Sequence, residues 1–104
     1  MKVKVFHTAF EDKPVHIATV DAPHAVHTEA CEYAYRWTQN IMDSWSHPEG
    51  VQDKNPHVEV VVPVEKYGHR SSAMGDYFEA DGALYKCAAV GFKAAEKIEC
   101  GQPF

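Results

Sequence analysis

YFEADGALYKCAAV, Tyr77–Val90, decides the fold. Two runs rich in aromatic and aliphatic residues flank Asp81-Gly82, a dipeptide favoured in type I′ turns because both central positions need positive φ. The spacing predicts a hairpin, Tyr77–Ala80 with Ala83–Val90, and so an antiparallel sheet. Upstream, Val58, Val60, Val62 and Val64 alternate with Glu59, Val61 and Pro63. That is strand patterning, with Pro63 marking an edge or a bulge. At the N-terminus Val3, Val5 and His7 share one side and Lys2 and Lys4 the other, predicting a strand over 2–10. Glu11-Asp12-Lys13-Pro14 breaks it, and Val15, Ile17, Ala18, Thr19 and Val20 resume it, so residues 1–20 read as a second hairpin.

Between the hairpins one helix is expected over 22–41. Asp21 stands where an N-cap should, Pro23 falls in the first turn, and Ala22, Val26, Ala30, Tyr33, Ala34, Trp37 and Ile41 recur at helical spacing. Residues 42–57 hold Pro48, Gly50, Asn55 and Pro56 without periodicity and read as a loop; 58–92 hold strands and the hairpin, and 93–104 a tail with Gly101–Phe104 a loose end. The expected order is β-β-α-β-β-β: an α+β domain spanning 1–104, with one amphipathic helix packed on a mainly antiparallel sheet.

The composition limits the function classes. With 104 residues the chain supports one core, and 45% hydrophobic against 24% charged residues excludes a disordered chain. No apolar run approaches the roughly twenty residues that span a bilayer, and the alternating N-terminus lacks a signal-peptide core. Cys31, Cys87 and Cys100 form no CxxC pair, and an odd count argues against a disulfide framework, so a cytoplasmic protein is expected. A net charge of -5 with scattered basic residues argues against nucleic-acid binding, including a stacking platform of Tyr77, Phe78 and Tyr85.

Chemistry concentrates in His69–Gly82, HRSSAMGDYFEADG. A serine hydrolase would need Ser71 or Ser72 on a strained elbow with a base and an acid, and Gly-x-Ser-x-Gly is absent. A backbone account uses the same residues: Ser72 caps a short turn, Gly75 takes special dihedrals, Asp76 bonds nearby amides, and Asp81-Gly82 turn the hairpin. Arg70 with Ser71 and Asp76 offers an alternative grip on a phosphate or nucleotide. His24, His27 and Cys31 lie within one sector of the expected helix and are weak metal candidates, imidazole and thiolate suiting zinc. None of the cysteines has a base beside it in sequence to make it a nucleophile. Tyr35 falls almost opposite the apolar stripe, so with Trp45 in the loop it is expected to form an exposed aromatic contact patch.

Several phrases occur together: Tyr35-Arg36-Trp37-Thr38-Gln39-Asn40-Ile41, Asp43-Ser44-Trp45-Ser46, Asn55-Pro56-His57-Val58-Glu59-Val60, His69-Arg70-Ser71-Ser72-Ala73-Met74-Gly75-Asp76, Asp81-Gly82, Tyr85 and Gly91-Phe92. Together they resemble small uncharacterised accessory proteins of phages, plasmids and other mobile elements, and the C-terminal half is similar to YodL-like domains. Ala73-Met74 replaces the more usual Ser-Val of that pattern. The resemblance implies an origin in an accessory gene of a mobile element, with no settled activity to inherit; the acidic balance, the expected aromatic patch and the lack of a catalytic constellation point to a module that binds a host or phage protein, such as an anti-CRISPR or anti-restriction inhibitor. No catalytic residue and no cofactor is expected. The expected partner contacts are Tyr35, Trp45 and Arg70, and the oligomeric state is left open, a dimer included.

Overall fold

The computed structural model describes residues 1–100. Its elements run β1 (Lys2–His7), β2 (Val15–Asp21), α1 (His27–Trp37), β3 (Val58–Val60), β4 (Tyr77–Ala80), β5 (Ala83–Cys87) and β6 (Phe92–Ala94). The six strands form one sheet in the order β3-β2-β1-β4-β5-β6. Every neighbouring pair is antiparallel. The domain is α+β, one helix on an antiparallel sheet. The Asp81-Gly82 turn has φ of 49° and 85°, the double positive φ of a type I′ turn, and it sets the register Ala80 opposite Ala83.

The apolar side of the sheet carries Val3, Val5, Ala18, Val20, Phe78 and Ala80, and α1 lays Ala30, Cys31 and Ala34 against it. Small helix residues let the axis approach closely, and aromatic side chains fill the remaining space. Tyr35 packs its ring 6.3 Å from both Phe78 and Phe92, which are themselves 5.0 Å apart.

The boundaries differ from expectation for local reasons. The helix occupies His27–Trp37 and not 22–41, because Asp21 remains in β2 opposite Lys2 and Ala22 donates its amide to the Met1 carbonyl. Val26 takes the N-cap place with no side-chain cap. β1 stops at His7 because the Thr8 and Ala9 amides turn to the Asp76 carboxylate. β3 ends at Val60 with Pro63 close behind, and β5 ends at Cys87, where the Ala88 amide closes a turn on the Gly91 carbonyl. A sixth strand, Phe92–Ala94, occupies the start of the expected tail; Gly101–Phe104 lie outside the described residues.

Candidate functional site: a buried polar cluster and a pinned loop

The residues that looked most like chemistry come together beneath the end of β1. Asp76, fully buried, accepts the Thr8, Ala9 and Ala73 amides at 2.9, 3.1 and 2.7 Å. Arg70 grips both its oxygens at 2.8 Å. Burial alone would raise this carboxyl; the Arg70 bonds and then the Thr8 amide outweigh it and hold it below the usual carboxylate range. Gly75, at φ 93°, gives the chain the left-handed step that brings Asp76 under those amides.

Arg70 has no donor to spare. Its five N–H groups go to Glu11 (Nε to Oε2 at 3.2 Å, Nη2 to Oε1 at 2.9 Å), to Asp76 twice, and to the Ser71 carbonyl at 2.9 Å. The Phe10 ring lies 5.0 Å from its Cζ. A guanidinium saturated by two carboxylates cannot also hold a phosphate, and Asp76 would repel one. The expected anion grip of Arg70, Ser71 and Asp76 is corrected on this ground; as an expected partner contact Arg70 keeps 28% of its side chain exposed, with its guanidinium committed to Glu11 and Asp76.

Ser72 is not a helix cap. Its Oγ lies 3.0 Å from His7 Nε2 and 2.7 Å from Thr38 Oγ1, and Thr38 Oγ1 donates to the Ala34 carbonyl at 2.9 Å. Each hydroxyl has one proton, and only one assignment supplies a proton to all three contacts. With the Thr38 proton on Ala34, Ser72 donates to Thr38 and accepts from His7 Nε2–H. An activated serine needs the reverse, a proton passing from Oγ to an unprotonated nitrogen, with the acid on the other ring nitrogen. Here the Asp76 carboxylate is 3.9 Å from the same Nε2. Burial drives the His7 pKa down to about 4, only partly offset by Asp76, so the ring is neutral. Ser72 is 3% exposed, and neither it nor His7 lines any of the four principal grooves among the described residues.

The same residues fasten the chain between α1 and β3. Ser72 donates its amide to the Thr38 carbonyl, Gln39 Nε2 donates to the Ser72 carbonyl, and Asn40 donates its amide to Ser71 Oγ and its Nδ2 to the His69 carbonyl. Trp45, expected on an exposed patch, is 1% exposed: its Nε1 donates to the Arg70 carbonyl at 2.9 Å, and its ring packs between His7 and His69. The loop folds back over the sheet end and buries it. Tyr35 is half-buried and does not form the expected exposed patch with Trp45, since the helix turns the Ala30, Cys31 and Ala34 side inward and carries Tyr35 partly with it, leaving its ring along a surface groove. The phrases Thr38-Gln39-Asn40, Ser44-Trp45-Ser46 and His69-Arg70-Ser71-Ser72 thus meet in space as one hydrogen-bonded seam.

Two further carboxylates hold the loop's shape. Asp53 Oδ2 accepts the Ile41, Met42 and Asp43 amides at 2.7–2.8 Å, and Asp43 Oδ2 accepts the Val51 and Gln52 amides at 3.0 and 3.4 Å. The Asp43 amide, foremost, holds the Asp53 carboxyl low, and the Val51 amide does the same for Asp43. Asp53 is 2% exposed, enclosed by the loop amides it accepts, with the Arg36 guanidinium 3.9 Å from its other oxygen. The pinned loop carries Ile41, Met42 and Val51 outward, 58%, 72% and 72% exposed. Sequence reading missed them because Ile41 fits the helical stripe and the other two sit in an aperiodic segment.

The metal candidates do not converge. Cys31 is fully buried with its thiol pushed up to about 12 by burial, His27 Nδ1 bonds the Tyr85 hydroxyl at 3.0 Å, and His24 packs edge-on against Tyr33. No group of three or more His, Cys, Asp or Glu is placed to hold a metal among the described residues. Cys87, likewise raised by burial to about 11, is no better a nucleophile. Among those residues, no helix is long and apolar enough to cross a membrane. No family model, curated protein or solved structure matches this chain.

Proposed function

We propose that this chain is a non-enzymatic protein-binding module of the cytoplasm: an accessory protein of a phage or other mobile element that docks on a host protein, as an inhibitor of a defence system of the anti-CRISPR or anti-restriction type. One observation carries the reading. The polar residues most suited to chemistry face inward and satisfy one another, while Ile41, Met42 and Val51 stand exposed on a backbone fixed by Asp43 and Asp53. Large apolar groups on a preorganised loop lose little conformational entropy on docking, which favours binding. The net charge of -5 keeps such a surface soluble without a partner. The mobile-element origin comes from the resemblance of residues 35–92, and the defence target from the way small accessory proteins of that kind often work.

The test pairs capture from host lysate with protection of an infecting phage or plasmid. Met42→Asp with Val51→Asp is expected to keep the parent's circular dichroism and melting temperature, lose the stoichiometric partner and lose protection. A parent that captures no partner, or a double variant that captures it undiminished, contradicts the proposal.

A further inference from the structure

We propose that the free edge of β6 is a strand-addition site for an extended segment of a partner protein, one that sets an acidic residue opposite Lys93 and a large apolar residue opposite Phe92. The hydrogen-bond phase of the sheet shows which backbone groups are available. The Ala88 amide donates to the Gly91 carbonyl and the Ala95 amide to the Leu84 carbonyl, both at 2.9 Å. With Lys86 opposite Lys93, the hydrogen-bonded pairs toward β5 are therefore 84:95, 86:93 and 88:91. Phe92 and Ala94 then point their N–H and C=O away from β5, and no partner takes them among the described residues. The opposite edge is less open, since on β3 the Val58 amide is already held by the Asn55 carbonyl and Pro63 follows.

Side chains select the occupant. Lys93 and Lys86 are direct cross-strand neighbours of like charge, and neither has an acid within ion-pairing distance among the described residues. Lys86 rests its ammonium 5.9 Å from the Tyr77 ring, so Lys93 is the unmatched charge at the edge. A second copy of this chain could pair Phe92 with Ala94 across a two-fold axis, but that register sets Lys93 against its own counterpart where side chains approach most closely. An acid at that position removes the repulsion. On the helix side, a groove of about 410 Å³ lined by Glu32, Tyr35, Met74, Cys87, Gly91 and Phe92 adjoins the strand. The incoming residue opposite Phe92 projects to that side, because side chains alternate along a strand. Backbone pairing supplies the affinity and the groove and Lys93 the selection, as in other strand-addition sites.

The probe is an acetylated, amidated pentapeptide, Thr-Val-Glu-Leu-Thr, titrated into the full chain labelled with ¹⁵N, its Leu opposite Phe92 in the antiparallel register. The amide signals of Phe92 and Ala94 are expected to move. Lys in place of the peptide's Glu weakens binding about threefold, and Lys93→Glu reverses that preference. N-methylation of the peptide's Leu, whose N–H faces β6, weakens binding about fivefold, whereas N-methylation of its Glu, whose N–H points away, does not. Phe92 and Ala94 signals that stay still at millimolar peptide, or binding indifferent to both charge and N-methylation, overturn the assignment. Strand addition rests on the protein-binding reading, yet the two fail separately: a partner lost with Met42→Asp and Val51→Asp but unaffected by β6 removes only strand addition.

Discussion

At His7, burial has set a neutral imidazole beside Arg70, and this has a cost in acid. The ring's pKa is 6.5 in the unfolded chain and about 4 when folded, so below pH 6.5 the unfolded state takes up a proton that the folded state refuses. Stability from this residue is whole above pH 6.5, falls as the pH drops from 6.5 to 4, and changes no further below that. That difference between the folded and unfolded chain corresponds to about 3 kcal/mol lost across the window. Glu11 and Asp76 act lower down: their folded pKa values lie below 4.5 and 3.8, so their contribution is present above those values and lost as the pH falls beneath them. Urea midpoints between pH 4 and 8 are expected to fall steadily below 6.5, and His7→Gln to flatten that slope; a parent midpoint constant from 6.5 to 4.5 would refute the assignment. Asp76→Asn replaces an oxygen that accepts from Arg70 and from backbone amides with a donor, and is expected to cost about 3–5 kcal/mol, as breaking a buried pair does. Ser72→Ala removes one neutral link and should cost about 1–2 kcal/mol by the same urea measurement. Gly75 and Asp76 were readable as turn-makers from the sequence. His7 was not, since it lies 65 positions from Ser72 and only the sheet brings them together.

Among the elements, the Asp81-Gly82 hairpin was legible because its register is set by two residues whose conformational preference is local. The helix was legible as an element but not in its ends. Ala22 and Ile41 fit the helical period by coincidence, and whether a period continues is settled by tertiary hydrogen bonds, here to Met1 and Asp53. Tyr35 and Trp45 were misplaced for a related reason: a helical wheel built on the overlong helix was centred on the wrong side, and no periodicity signals a loop that folds back. Val26 offers a direct element-scale test. It is exposed, has the extended dihedrals of an N-cap (φ −92°, ψ 130°) and supplies no capping oxygen. Val26→Asp is expected to stabilise the protein by about 1 kcal/mol, read as a rise of about 4–8 °C in melting temperature. An unchanged or lower melting temperature would mean that the helix does not begin at His27. For the loop, Asp53→Ala is expected to speed hydrogen exchange at the Ile41, Met42 and Asp43 amides while leaving the β1 amides protected. Unchanged exchange at those three would show that the carboxylate does not hold the loop.

Across the whole molecule, two regions that differ in chemistry divide the work. Inside, one cluster of Arg70, Asp76, Glu11, His7, Ser72 and Thr38 ties β1, the end of α1 and the segment before β4 into a unit, and among the described residues no buried side-chain nitrogen or oxygen lacks a hydrogen-bond partner. Outside, among the described residues, lie a pinned loop that exposes Ile41, Met42 and Val51 and a β6 edge whose Phe92 and Ala94 backbone groups have no partner, the two surfaces on which the proposed binding rests. This division depends on the direction of the hydrogen bonds running from His7 through Ser72 and Thr38 to the Ala34 carbonyl, because the reverse direction is the first condition an activated serine would have to meet. Nitrogen chemical shifts of the His7 ring, followed by ¹⁵N NMR from pH 8 to 4, test it most directly. A neutral ring protonated on Nε2 with a pKa near 4 is the result the structure predicts; a ring protonated on Nδ1, with Nε2 accepting the Ser72 proton and a pKa near 7, would contradict it.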